Sequence, residues 1–319
     1  MPTVSIIVPC YNAAHWLAAA LESCLAQSGA ALDIIVVDDG STDDSLAIAQ
    51  RFTDRGVTIL AQPNRGAAAA RNRGLEAARG EFIQFLDADD LLAPGKIAAQ
   101  LARAAHEPAG TAFTAHWWRF VEDPARPEYD EPNPLLADLS PRDYLIRYGS
   151  ENCMMHPAAW LLPRALVASA GPWDERLSLN DDGEFFVRIV TAATRIAYCA
   201  DARSFYRSGL PGNLSSQRHR RHLESAHLAL QLIVDEMTLL EDSPAMRRAA
   251  ADLAQRFAYE YYPTAPDLIA DAEQLARSLG GSTFRPLGSK AFLALRPLVG
   301  WKLARRLEIL LGRRAAPHA

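Results

Sequence analysis

Asp87, Ala88 and Asp89, with Asp90 directly after them, end the strand-like run Glu81–Leu86. Carboxylates packed this tightly repel one another, and a cation among them relieves the repulsion. Side chains two apart in extended chain point the same way, so Asp87 and Asp89 share a face. Such a pair suits a hard divalent ion that also keeps ligands from a substrate diphosphate. A solvated acidic turn before the helix near Pro94 is the plain alternative. A second acidic pair, Asp181–Asp182, opens an apolar run through Phe185, Phe186, Ile189 and Val190 that has helical spacing. A helix N-terminus favours an ionised carboxylate, the form a general base needs. With Asn180 beside it, the same pair equally suits a helix cap.

The elements that must position these groups alternate through the first hundred residues. Val4–Val8, Asp33–Val37, Val57–Leu60 and Phe82–Leu86 read as buried parallel strands. Helices are expected over Ala14–Gln27, from Ser41 or Thr42 towards Arg51, and over Ala67–Ala78, with Gly80 in the left-handed position after the last. This alternation predicts an α/β sheet with ligands at the carboxyl ends of the strands, where Pro9, Tyr11, Asp39 and Asp87 gather. Further on, Thr111–Val121 reads as a strand and Glu122–Asp138 as a long acidic, Pro-rich loop. Ser140–Pro141 opens a short helix. Ala158–Leu162 is a strand, Arg164–Ala170 a helix, and Arg195–Cys199 a closing strand. From His219 the chain reads as helical over His219–Leu240, Ala245–Tyr262, Asp267–Leu279 and Lys290–Leu311, the last kinked or broken at Pro297.

Composition narrows the function classes. The chain has 319 residues, 49% hydrophobic, with a formal net charge of −5. It can bury a sizeable core, and its mild acidity argues against nucleic acid as a partner. Cys10, Cys24, Cys153 and Cys199 are scattered, with no zinc spacing and no C-x-x-C, which fits free thiols in a reducing, cytoplasmic setting. Strand-like sequence begins at Thr3, without a signal-peptide pattern, and no apolar run is long enough to span a bilayer.

Six blocks together resemble the family-2 glycosyltransferases of the GT-A fold. They are Ser5-Ile6-Ile7-Val8-Pro9-Cys10-Tyr11-Asn12, Val36-Val37-Asp38-Asp39-Gly40-Ser41-Thr42-Asp43, Asn64-Arg65-Gly66, Ala70-Arg71-Asn72-Arg73-Gly74-Leu75, Phe85-Leu86-Asp87-Ala88-Asp89-Asp90 and Asn180-Asp181-Asp182-Gly183-Glu184-Phe185. They occur in family order at family spacing. The resemblance implies a Rossmann-like GT-A domain over 1–217, with a donor-binding half to about 110 and an acceptor half over 111–217, followed by a helical region over 218–319. It implies transfer of a sugar from a nucleotide-sugar donor to the hydroxyl of a saccharide, glycolipid or lipid-linked acceptor, with inversion at the anomeric carbon.

The resemblance also distributes roles. Tyr11 would stack on the base, or lie half-buried against the following helix. Asp39 would accept a uracil N–H, and Pro9 and Ala88 would line the donor site. Gly66 would let backbone approach the nucleotide. Arg71 would pair with phosphate or buttress the acidic triplet. Asp89, helped by Asp87, would hold Mg²⁺ or Mn²⁺ bridging the diphosphate, with Asp87 also placed for ribose. Asp182 would be the general base. The family's commoner Glu-Asp pair is Asp181–Asp182 here, which leaves open whether Asp181 shares that role. Downstream, Arg207 would reach the diphosphate and His219 the metal, on either side of a loop containing Asn213-Leu214-Ser215-Ser216. Trp173 lies where the family lines the acceptor site, or is core. The Q-x-x-R-W motif and membrane spans of processive relatives are absent.

Two readings stand for the basic tail. Phe292, Leu295, Val299, Leu303, Leu307 and Leu310 can form an apolar stripe among eight basic residues, from Arg285 to Arg314. The stripe can lie on an anionic membrane, placing the protein peripherally on its cytoplasmic face, or pack on the catalytic domain. Rival functions are a nucleotide-sugar-binding inactive partner subunit and a sugar-phosphate nucleotidyltransferase. The second wants a Gly-rich basic loop where Pro9-Cys10-Tyr11-Asn12 stands.

Overall fold

The computed structural model describes residues 1–126, 133–151, 153–209 and 219–310. Its strands are β1 (Thr3–Cys10), β2 (Ala31–Asp38), β3 (Val57–Ala61), β4 (Phe82–Phe85), β5 (Leu91–Leu92), β6 (Thr111–Phe120), β7 (Trp160–Pro163) and β8 (Arg195–Arg207). They form one sheet in the order β3-β2-β1-β4-β7-β6-β8-β5. The first four in that order are mutually parallel, as the strand–helix alternation predicts. β7 then runs antiparallel to both β4 and β6, so the sheet is mixed.

The period of two in each strand divides the core into two layers. Ile7, Ile35, Val37, Ile83 and Phe85 face one cluster. Val4, Ile6, Val8, Ile34 and Val36 face the other. Both faces are covered, which is why these strands are apolar without interruption. α1 (Leu17–Leu25), α2 (Ser45–Gln50) and α4 (Lys96–Ala104) cover the second face. The first is covered by α3 (Ala67–Ala77), α5 (Pro141–Ser150), α6 (Arg164–Ala170) and α7 (Asp181–Ala192). α8 (Arg220–Leu240), α9 (Pro244–Tyr261) and α10 (Pro266–Ser278) extend that same cluster. Ser140 caps α5, its hydroxyl accepting from Asp143 N at 3.0 Å.

Several expectations are corrected. Gly80 is not in the left-handed region; α3 ends on extended Ala78. Glycine is needed at 80 because a Cβ there would lie 2.3 Å from Ser5 N. β8 continues well past Cys199, because residues 200–202 loop out and Arg203 rejoins the ladder opposite His116. α11 (Lys290–Leu310) breaks at Gly300 (φ 75°), three residues beyond Pro297. The break disrupts the expected stripe: Phe292, Ala304 and Glu308 are buried, while Val299, Leu303 and Leu310 are exposed. Asn213–Ser216, Arg313, Arg314, part of the Glu122–Asp138 loop and the 217/218 boundary lie outside the described residues.

Candidate active site

The loops after β1, β2 and β4 meet on one rim. Asp39 follows β2 and is 2% exposed. Its Oδ1 accepts from Gln62 Nε2 at 2.8 Å and Arg65 N at 2.9 Å, and its Oδ2 accepts from Gly66 N at 2.8 Å. This buried carboxylate therefore holds the loop leading into α3. Gly66 precedes α3 with φ 93°, a conformation that favours glycine, and open space lies where its Cβ would be. The loop after β1 is joined to the loop after β2: Asn12 N donates to Ser41 Oγ, Thr42 N to Asn12 Oδ1, and Ala13 N to Ser45 Oγ. Tyr11, carried on that joint, is 51% exposed, so its ring face is available. Pro9 is buried within β1, paired to Val37.

Arg71 connects the two acidic clusters. Its Nη2 donates to Asp87 Oδ1 and its Nη1 to Asp181 Oδ2, both at 2.7 Å. Burial alone would lower its pKa, but Asp87 and then Asp181 outweigh burial and raise it. The guanidinium lies 4.4 Å above the Trp173 ring, which is itself stacked on Phe185 at 4.0 Å. Trp173 is 1% exposed and underlies Arg71. Asn72 ties α3 to the same segment through paired bonds with the Trp173 backbone, at 2.9 and 2.8 Å.

Around these contacts, charge is left uncompensated. Burial, then Asp90 and Asp87, pushes the Asp89 carboxyl up to about 8. No side-chain donor among the described residues reaches that carboxylate. Burial, followed by Asp181, lifts half-buried Asp182 to about 6, although Arg71 and the Gly183 N–H hold it down. Asp182 Oδ1 accepts that N–H at 2.9 Å. Asn180, at the cap position of α7, makes no side-chain cap bond. Gly183 has no room for a Cβ, which would sit 2.3 Å from Asn180 Oδ1 and 3.0 Å from the Tyr148 hydroxyl. Among the described residues, no three His, Cys, Asp or Glu side chains form a closed metal site. The donor set fits an ion that takes one or two carboxylates from Asp87 and Asp89 and its other ligands from phosphate and water.

Residues 5–167, about half of the chain, match the model of Glycosyl transferase family 2. Succinoglycan biosynthesis protein ExoO of Rhizobium meliloti (strain 1021) is 40% identical over 332 residues, covering 100% of this chain and 90% of that protein. The chain belongs to glycosyl transferase family 2. An uncharacterized glycosyltransferase of Haemophilus influenzae is 47% identical over 104 residues, 32% of this chain and 42% of that relative. The match to that relative thus spans less than half of its length. The crystal structure of S. aureus TarS 1–349 in complex with UDP-GlcNAc superimposes with a TM-score of 0.70 at 18% identity, covering 98% of this chain and 93% of that one. Mannosyltransferase PcManGT from Pyrobaculum calidifontis, in complex with GDP-Man and Mn²⁺, gives 0.56 at 20% identity over 98% and 88%. At such identities the likeness carries the fold, which is GT-A.

His156 and Ser204 of this family-2 chain stand at the site without any signal in the sequence, beside candidates that the sequence does offer. The His156 ring is 0% exposed, with Nδ1 3.3 Å from Asp90 Oδ2 and Nε2 2.8 Å from Ser204 Oγ. Burial keeps that ring neutral down to about 3. Asp90, also buried, accepts Arg207 N at 2.8 Å through Oδ1. Arg207 ends β8. It is 5% exposed and held against the rings of Trp16 and Phe120 at 3.9 and 4.3 Å. Its Nε donates to the Asp89 carbonyl at 3.0 Å and its Nη1 to the Val121 carbonyl. Arg207 thus braces the acidic triplet from behind. Ala88 is buried between the two carboxylates of the triplet. His219 is exposed just before α8, its ring 6.3 Å from that of His222.

Proposed function

We propose that this chain is an inverting glycosyltransferase that moves a sugar from a nucleoside-diphosphate donor, with UDP as the nucleotide, to an acceptor hydroxyl in cell-surface polysaccharide or glycolipid synthesis. The observation that carries this is the Arg71 bridge, which brings Asp87 of the triplet and Asp181 of the α7 pair to one guanidinium at 2.7 Å each. Leaving-group chemistry and base chemistry then share one rim. The ExoO name favours polysaccharide synthesis, and the TarS complex favours a UDP-sugar. Four cysteines, none in a disulfide, favour a cytoplasmic setting.

In this reading the base stacks on the exposed Tyr11 ring and gives an N–H to a remaining lone pair of Asp39 Oδ2. The open face at Gly66 admits the nucleotide closely. Asp89 and Asp87 would hold Mg²⁺ or Mn²⁺, which supplies positive charge against the departing diphosphate. Asp182 takes the proton of the acceptor hydroxyl. The acceptor oxygen forms its bond to the anomeric carbon as the bond to the diphosphate oxygen breaks, and the electron pair leaves with the nucleoside diphosphate. One displacement inverts the anomeric centre. A pKa of about 6 leaves the base ionised at neutral pH yet more basic than a free carboxylate.

The test is a panel of UDP-sugars with Mn²⁺ and saccharide or lipid-linked acceptors, read by UDP release and by NMR of the product anomer. Inverted product is expected. Retained configuration overturns the single displacement. Donor binding without transfer to any acceptor assigns a non-catalytic binding subunit instead.

A further inference from the structure

We propose that the outer face of α11 docks on an anionic lipid surface. Eleven large hydrophobic side chains are exposed among the described residues, and seven of them fall between 287 and 310. Leu298 and Leu310 are each 81% exposed, and Val299, Leu303 and Ile309 lie open beside them. These side chains are not displaced from the core, because the inner face of α11 is already complete. Phe292 and Ala304 are 1% exposed, and buried Glu308 accepts Ser289 N at 2.8 Å and pairs with Arg305 at 2.6 Å. Trp301 packs against the rings of Tyr259 and Tyr262 at 5.6 and 5.2 Å. The helix is therefore a fixed platform. Its break at Gly300, where nothing lies within 4 Å of an added Cβ, directly follows exposed Leu298 and Val299.

Charge selects the occupant. Residues 285–310 hold six basic side chains against Glu308 alone, although the whole chain is net −5. Lys302 is paired with Glu273 and Arg305 with Glu308. Arg285, Lys290 and Arg306 are exposed, with no carboxylate partner among the described residues. A second copy docking by the same face would set these cations against one another. An exposed apolar patch, on a segment whose exposed cations lack carboxylate partners among the described residues, instead matches an interface where leucines enter the acyl boundary and cations meet phosphate. This inference goes beyond the proposed reaction and does not depend on it.

The test is sedimentation of the full chain with vesicles of phosphatidylcholine alone and of phosphatidylcholine mixed with phosphatidylglycerol. Retention on the anionic vesicles that falls with salt is expected. Arg306→Glu should lower the partition coefficient at least about fivefold, near the contribution of one surface cation. Leu298→Asp with Leu303→Asp should lower it at least about tenfold. Both positions are exposed, so circular dichroism and the thermal melting midpoint should match wild type. No retention of wild type, or equal retention on neutral vesicles, overturns the proposal. Retention lost with Arg306→Glu but kept with the leucine variant means a purely electrostatic anion site and overturns it as well. A wild-type dimer in light scattering that the leucine variant dissociates, without vesicle binding, assigns the patch to a second copy.

Discussion

Replacing Asp182 by Asn separates catalysis from stability in opposite directions. Burial and Asp181 raise this carboxyl from 3.8 to about 6 in the folded protein. The folded state therefore binds the proton more tightly than the unfolded chain does. Stability contributed by the protonated form is present below about 4 and is lost as pH rises through about 6. At pH 7.5 the ionised group costs the fold up to about 3 kcal/mol, at about 1.4 kcal/mol per pH unit. Asn keeps an oxygen for the Gly183 N–H and carries no charge. Asp182→Asn should thus melt a few degrees higher than wild type at pH 7.5 and no higher at pH 3.5. In the same variant, transfer should fall by about 10²–10⁴-fold while UDP affinity is kept. Wild-type kcat/KM should fall about tenfold per pH unit below 6, since only the carboxylate accepts a proton. The assays are thermal melts at the two pH values and a pH–rate profile. A variant that keeps more than a tenth of the activity, or a wild-type acid limb near 4, would refute the reasoning.

Other substitutions probe the rim and the sheet. Arg71→Met removes the cation that holds Asp182 down; the acid limb of the pH–rate profile should move up by about one unit or more, and an unmoved limb would separate Arg71 from the base. Gly80→Ala forces a Cβ to 2.3 Å from Ser5 N; it should lower stability by about 1–3 kcal/mol in denaturant melts, and an unchanged midpoint would mean that the strand relaxes freely.

What the sequence revealed follows the range of each interaction. β1, β2 and β4 are legible because both faces of a parallel strand are covered, so apolar residues run on without a break. The acidic triplet and the α7 pair are legible because their members are adjacent in the chain. Contacts joining distant segments leave no local trace. Arg71 and Asp181 are 110 residues apart, so their contact is not legible although each residue is; His156 and Ser204 are 48 apart, each in unremarkable surroundings. Gly80 misleads because a glycine after a helix also suits a left-handed cap, whereas its actual neighbour is the β1 backbone. β8 is truncated in the sequence reading because residues 200–202 interrupt the alternation. The tail stripe fails as one continuous buried or exposed row because Gly300 interrupts α11, so that Phe292 is buried while Val299, Leu303 and Leu310 are exposed.

The central claim is a metal-dependent nucleotide site at the Asp87–Asp89 end of β4, and calorimetric titration tests it most directly. UDP would be titrated into wild type and Asp89→Ala, each with Mn²⁺ and then with EDTA. The account predicts UDP binding by wild type that EDTA abolishes and that Asp89→Ala largely loses even with Mn²⁺. UDP binding of equal affinity in EDTA, or unchanged Mn²⁺-dependent affinity in Asp89→Ala, would contradict it.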